Sequence, residues 1–490
     1  MPPRRSAIVI GAGLGGLALA IRLQSAGIAT TIVESRDKPG GRAYVFREKG
    51  YVFDAGPTVI TDPPCLRDLW ALSGNDMAAD VDLVPVSPFY RLIWGDGTAF
   101  DYSNDDDALD FEIAKLDPAD VAGYARFLDY SRGVYEDGYV KLGAVPFLTV
   151  ASMVKAAPAL IRHRAWSSVY ATVSRFVRNK KLRQALSFHT LLVGGNPMRT
   201  SSIYALIHAL EKSGGVWFAK GGTNQLVASM AALFERLGGQ MILNDGVARI
   251  HHAERRVTGV VTRSGRILVA DMIATNADLV HSYGLIKQSP VADARQAKMR
   301  TKRFSPSLFV VHFGLRGSYP GIAHHSILFS DRYGPLLRDI YDHGRLPADP
   351  SIYLHHPSAT DPSMAPEGCS AFYALAPVPH LGKADVDWSV EGQRYRDIIL
   401  DRVQDMLIPQ LRDRIEVLFH YSPADFQSDL GAHLGSAFSL EPVLTQSAWF
   451  RAHNRDDHFE NLFFVGAGTH PGAGIPGVVG SAKATAGLMI

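Results

Sequence analysis

The sequence predicts an α/β protein, in which a parallel-sheet domain built to hold a dinucleotide is interrupted by a second, mixed α+β domain. Two stretches carry this reading: "SAIVIGAGLGGLALAIRLQSAGIATTIVES" at residues 6–35 and "NLFFVGAGTHPGAGIPGVVGSAKATAGLMI" at residues 461–490. Each reads as strand, glycine loop and helix, yet they lie at opposite ends of the chain. A third observation is the regular pattern that restarts near residue 213 and places further strands of the same kind mid-chain.

The first stretch is a nucleotide-binding unit in order. Ala7-Ile8-Val9-Ile10 is a short apolar run suited to a strand buried on both faces. Gly11, Gly13 and Gly16 follow in G-x-G-x-x-G spacing, which allows a tight turn, close approach of backbone to a pyrophosphate, and close helix packing. A helix with Leu19 and Leu23 one turn apart ends toward Gly27. A second strand over 30–33 delivers Glu34, 18 residues after Gly16, near the spacing of a carboxylate that accepts hydrogen bonds from a ribose diol. Such an acid repels a 2′-phosphate, so NADP is disfavoured.

Beyond it, Pro39-Gly40-Gly41-Arg42 frees backbone to approach a ligand, and Arg42 can pair with phosphate or lie along the cofactor. Short strands over 43–46 and 51–53 are joined at Lys49-Gly50. Asp54-Ala55-Gly56-Pro57-Thr58 reads as a turn with a possible helix cap. The acidic run Asp105-Asp106-Asp107 reads as a solvated loop or a helix start. Residues 84–212 are mixed, with a helix expected over 181–192. A helix over 224–237 presents Leu226, Met230, Leu233, Phe234 and Leu237 on one face, and strands follow to residue 277. At the end, a strand over 462–465 leads through Gly466, Gly468, Gly472, Gly474 and Gly477 to a helix near Ser481, placing amides where an anionic or electron-rich group can sit. No acid follows it, so it is not a second nucleotide unit. A chain that returns to cover the far half of one ligand suits FAD better than NAD. His470 in that loop reads as structural or cofactor-lining ahead of catalytic.

The bulk numbers narrow the classes. At 490 residues the chain has room for two or three domains, and 47% hydrophobic against 20% charged residues is a globular balance. A formal charge of +2 argues against a dedicated nucleic-acid binder. Two distant cysteines, Cys65 and Cys369, offer no zinc or dithiol motif, so no metal site is expected and a reducing compartment is implied. Arg4 and Arg5 precede too short an apolar run for a signal core, and no stretch has the length of a membrane span. The expected location is cytoplasmic, peripheral on the inner face of the cell membrane.

The motifs resemble a known family. The Gly11-Gly13-Gly16 loop, Glu34, Gly40-Gly41-Arg42 and Asp54-x-Gly56-Pro57-Thr58 resemble the N-terminal half of the flavin amine oxidase and carotenoid desaturase superfamily. "VGAGTHPGAGIPGVVGSAKATAG" resembles the signature of bacterial-type phytoene desaturases, as do "PFYRL", "SFHTLLVGGNP", "SSIYALIHALE" and "LAPVPHLG". The resemblance implies a Rossmann-like FAD-binding domain of the glutathione-reductase class, with an inserted mixed α+β substrate domain. The FAD-binding domain is expected over 1–83, 213–303 and 431–490, and the substrate domain over 84–212 and 304–430, with a helical, membrane-contacting part near 140–166. Carried onto this sequence, it puts Gly11, Gly13 and Gly16 at the pyrophosphate, Glu34 at the ribose, and Gly41 and Arg42 along the cofactor. Val247 falls on the adenine side, and Gly466, Gly468, Gly477 and Val478 fall near the flavin. One departure is the stop at Ile490, short of the family pattern, which bears on the packing of the last helix.

The implied reaction is desaturation of phytoene toward lycopene or partly desaturated intermediates, with oxygen or a quinone as electron acceptor. No proton acceptor is assigned. A carotene isomerase and an amine oxidase share the front motifs, and a non-catalytic isoprenoid-binding escort protein is the reading from a different class. The uncharged run "LGAVPFLTVASMV" over 142–154, flanked by Lys141 and Lys155 and followed by Arg162, Arg164 and Trp166, is either a core helix or an interfacial segment through which substrate enters.

Overall fold

The computed structural model describes residues 5–490, and two sheets organise them. The first is parallel throughout and has five strands in the order Leu462–Phe464, Met272–Thr275, Ser6–Ile10, Ala29–Val33 and Gln240–Ile242. Ser6–Ile10 is central, which is why four consecutive apolar residues suit it. The helix Leu14–Ser25 is buried along nearly its whole length, between the helices Ile475–Met489 and Thr223–Arg236. An element covered on every side has no use for a polar face, and the Gly/Ala/Leu content of this one follows from that. Gly16 sets the closeness of approach, since a Cβ there would lie 2.1 Å from the Gly11 carbonyl oxygen.

The second sheet has seven strands in the order Ile415–Tyr421, Ser307–Arg316, Cys369–Val378, Ile352–His355, His325–Leu328, Tyr90–Ile93 and Ala99–Tyr102. Its pairs are antiparallel except His325–Leu328 with Tyr90–Ile93. Along Ser307–Arg316 the side chains alternate: Phe309, Val311 and Phe313 pack with the helix Trp388–Met406, while Leu308 and Val310 join a different core on the opposite face. That period of two makes one face a packed layer and leaves the other to wall a cavity. A three-stranded antiparallel sheet spans Val247–Ala253, Arg256–Thr262 and Ile267–Val269. The strands Val45–Glu48 and Tyr51–Asp54 form the expected hairpin, turning at Lys49 and Gly50 with φ of 48° and 84°. Leu83–Pro85 pairs with Trp217–Ala219, joining the chain close to where it leaves and re-enters the expected FAD-binding segments.

Three expected elements differ. The helix over 181–192 is broken: Lys180–Ala185 is helical and Phe188–Val193 is a 3-10 segment. Ser187 donates its hydroxyl to the Arg183 carbonyl at 2.7 Å, a side-chain bond that competes with helix continuation. The uncharged run over 142–154 is not one helix either. Pro146 lies before the helix, Thr149 caps it, and Val150–Arg162 is helical. The last helix begins at Ile475 rather than near Ser481, because Pro476 fits a first helical turn; it packs squarely on Leu14–Ser25. The 224–237 helix occupies Thr223–Arg236 with Leu226, Met230, Leu233 and Phe234 buried, and Asp105 caps the helix Asp106–Leu116.

Candidate functional site

The glycine loop leaves the C-terminal end of the central strand, where an open parallel sheet offers a crevice. Gly40 N–H donates to the Ala12 carbonyl at 2.9 Å, so the loops 11–14 and 40–42 are held edge to edge. Glu34 is buried at the end of its strand. Its carboxylate accepts from Ala12 N–H at 2.7 Å, Arg36 N–H at 2.9 Å and the Ser35 hydroxyl at 3.1 Å. It therefore fixes the glycine loop as well as facing the crevice, and a carboxylate with about four acceptor positions keeps one for a ligand. Val247 opens the first strand of the small sheet beside it, with Gly246 so close to Ser35 that a Cβ on Gly246 would lie 2.8 Å from the Ser35 Cβ.

The terminal loop meets this crevice from the other side. Gly477 packs on the Gly472 carbonyl, and the helix N-terminus at Ile475 looks into the same space. His470 is half-buried, and desolvation pushes its imidazole down to about 4, so it is neutral at pH 7. It donates from Nε2 to the Leu142 carbonyl at 2.8 Å and meets the Phe147 ring edge-on at 4.7 Å. His470 thus clamps the 142–149 segment to the terminal glycine loop.

One cavity of about 920 Å³ joins these parts to a large apolar chamber. At one end lie Gly11, Gly13, Glu34, Gly41, Arg42 and Val247; in the middle are Ala473 to Val478, including Gly477. Beyond them the chamber is walled by Leu308, Ile327 and Leu375 of the seven-stranded sheet and by Ile203, Leu206 and Leu210. Met153, Ala156, Ala159 and Leu160 of the helix Val150–Arg162 also line the cavity.

Three expected site residues do not line the cavity. Gly16 is packed on Gly11. A Cβ on Gly466, whose φ is +104°, would meet Asn276 Nδ2 at 2.3 Å, and one on Gly468 would meet Leu279 Cγ at 2.8 Å. Their small size serves chain packing behind the crevice. The sequence reading missed Asn276, whose amide donates to the Val465 carbonyl at 3.1 Å and whose oxygen lies 2.7 Å from where a Gly13 Cβ would be. It also missed Asp278 and Arg263, which line the crevice, and the chamber pair His189 and Glu211. Glu211 accepts from the Tyr90 hydroxyl at 2.7 Å and lies 2.9 Å from His189 Nε2. None of these sits in a glycine motif, which is the signal the reading followed.

The donor set suits a flavin dinucleotide. Arg42 presents a buried, unpartnered Nε at the cavity wall, and the Glu34 carboxylate at the same wall keeps an acceptor position free. Fold and crevice together define a dinucleotide-dependent oxidoreductase with an apolar substrate chamber. The match to the flavin-containing amine oxidoreductase family runs over residues 14–490, and the chain belongs to that family. Its cofactor is FAD.

Among similar proteins is a lycopene-forming phytoene desaturase of Paracoccus sp., 61% identical over 490 residues, spanning 100% of this chain and 98% of the relative. A second, from Pantoea ananas, is 54% identical over 98% of each. A neurosporene-forming phytoene desaturase of Cereibacter sphaeroides is 42% identical over 98% of this chain and 94% of the relative. Among solved structures, putrescine oxidase bound to putrescine matches with a TM-score of 0.67 at 16% identity, covering 99% of this chain and 98% of that one, a likeness of fold.

The 55–58 wall of the crevice is anchored by Asp54. Its carboxylate caps the helix Thr223–Arg236, accepting from Thr223 N–H at 3.0 Å and Asn224 N–H at 3.2 Å. Burial pushes the carboxyl up to about 6, against those hydrogen bonds. A carboxyl raised on folding holds its proton more tightly in the native state, so its contribution to stability is complete at low pH and is lost as pH rises from about 4 through about 6. Asp54→Asn keeps an acceptor and removes the titration. The stability advantage of wild type over this variant, from urea unfolding, is expected to shrink by about 2–3 kcal/mol between pH 4 and pH 7.

Proposed function

We propose that this protein desaturates phytoene to lycopene. Bound FAD would supply the hydride acceptor, the two-electron oxidant that each new carbon–carbon double bond requires. The observation that carries the reading is the single cavity that runs from Glu34 past the terminal glycine loop into a chamber walled largely by aliphatic side chains. The names of the closely similar relatives supply the substrate. A hydrocarbon offers no polar handle, so the chain's task is to exclude water and hold the substrate against the flavin.

In this reading Gly11 and Gly13 pass close to the pyrophosphate, Glu34 takes the ribose, and Val247 lies by the adenine. Gly41 and Arg42 run along the cofactor, with Arg42 Nε as a free donor, and Gly477 and Val478 sit at the flavin end. Gly16, Gly466 and Gly468 act through packing.

The protein is further proposed to work as a peripheral protein on the cytoplasmic face of the cell membrane, with oxygen or a quinone taking the electrons. Among the described residues no helix is long and apolar enough to cross a membrane. The helix Val150–Arg162 supports a surface-bound mode because it has two apolar faces. Met153, Ala156 and Leu160 face the chamber, whereas Val150, Val154 and Ile161 are 60%, 67% and 64% exposed, with Trp166 exposed just beyond. Lys155, Arg162 and Arg164 flank this face as basic residues do near anionic head groups. Phe147, in the run first considered for lipid contact, is buried against His470 instead.

Three outcomes test the proposal. The FAD-loaded protein is expected to convert phytoene in liposomes into coloured conjugated products; inactivity there, with oxidation of a water-soluble amine instead, contradicts it. Glu34→Ala removes a charge-assisted bond worth about 1.5–3 kcal/mol and is expected to weaken FAD binding by about one to two orders of magnitude in a flavin titration. Changing Val150, Val154 and Ile161 together to aspartate is expected to abolish co-sedimentation with anionic liposomes while bound flavin is retained.

A further inference from the structure

We infer that His324, His325 and His355 form a binding site for one divalent transition-metal ion, such as zinc, set into the seven-stranded sheet. The cysteine spacing predicts no metal site. The fold brings these three together because His325 and His355 are directly opposed on the strands His325–Leu328 and Ile352–His355, with His324 next to them. One ring nitrogen from each lies within 4.8 Å of those of the other two. Ring centroids are 4.4 Å apart for His324 and His325 and 5.4 Å apart for His325 and His355.

Orientation is the stronger observation. His324 Nδ1 is bonded to the Thr360 hydroxyl at 2.6 Å, and His325 Nδ1 to the Tyr353 hydroxyl at 2.7 Å. Each ring is thus fixed by one nitrogen, and each leaves a buried Nε2 without a partner. Both nitrogens of His355 are also buried and unpartnered. Buried polar atoms of native proteins are normally satisfied. Imidazoles held through one nitrogen, with the other free, have the form of metal ligands with their outer partners in place.

Protonation suits the same role. Burial, reinforced for His324 and His355 by the neighbouring imidazoles, holds all three rings neutral at pH 7, the state a metal requires. A tetrahedral zinc with bonds of about 2.0 Å draws its donors to about 3.3 Å from one another, which ring rotations on adjacent strands can supply. The ion would pin the two strands together. Through the His325–Tyr353 hydrogen bond it would also stiffen Tyr353, which lines the chamber. The site does not depend on the assignment of the reaction.

The test uses the FAD-loaded full chain, prepared from zinc-supplemented cells without chelator, with metals counted by mass spectrometry and the zinc environment read by X-ray absorption. About one transition metal per chain is expected, with nitrogen neighbours at about 2.0 Å. His324→Gln and His355→Gln are each expected to lower that content at least about tenfold with bound FAD unchanged. Less than about a tenth of a metal per chain in the wild type, or metal retained equally by both variants, overturns the site. Where a variant does not fold, the wild-type spectrum decides alone: a shell without imidazole scattering overturns it.

Discussion

A long hydrocarbon and water are incompatible, and that constraint orders the rest of the molecule. At about 0.8 kcal/mol per carbon group, bringing a carotenoid precursor through water would cost on the order of 30 kcal/mol. On the proposed function, the substrate passes from an apolar phase to the flavin inside the protein. This accounts for an apolar chamber with few charged side chains, and for its direct continuity with the nucleotide crevice. It accounts equally for the helix Val150–Arg162, which lines the chamber on one side and carries exposed apolar side chains on the other.

Three polar contacts hold the walls of the cavity in place. Glu34 binds the glycine loop through Ala12 N–H. Asp54 ties the 55–58 wall to the helix that begins at Thr223. His470 ties the terminal loop to Leu142. Glu34 and Asp54 are buried and His470 is half-buried; each has a specific partner, and together they connect the beginning, middle and end of the chain around one cavity. Such bonds contribute modestly to stability individually but are costly to leave unmade, so they determine geometry more than total stability.

The nucleotide half was legible because its chemistry demands local sequence. Strand, glycine spacing and acid in the segment 6–35 each follow from what a pyrophosphate and a ribose require, and Lys49-Gly50 announced its hairpin through turn chemistry. The chamber was much less legible. Its walls come from alternate residues of strands such as Ser307–Arg316, which are buried on both faces and so show no alternation. Asn276 and Asp278 follow a strand with no glycine, and Glu211 and His189 meet only through tertiary packing. The 142–154 run misled for a related reason: lack of charge signals apolar surroundings but does not distinguish a core contact such as Phe147 from a surface one such as Val154. Among the glycines, the spacing identified positions that need to be small without separating those facing a ligand from Gly16, Gly466 and Gly468, which face other parts of the chain.

The central claim is that one protected route connects the lipid phase to the flavin. Its most direct test is the single-turnover reduction of bound FAD without oxygen, followed by loss of the flavin's visible absorbance on mixing with liposomes. Bleaching is predicted with phytoene-loaded liposomes and not with empty ones, in step with the appearance of a conjugated product. Flavin that stays oxidised against phytoene-loaded liposomes, while a water-soluble amine bleaches it, would contradict the account.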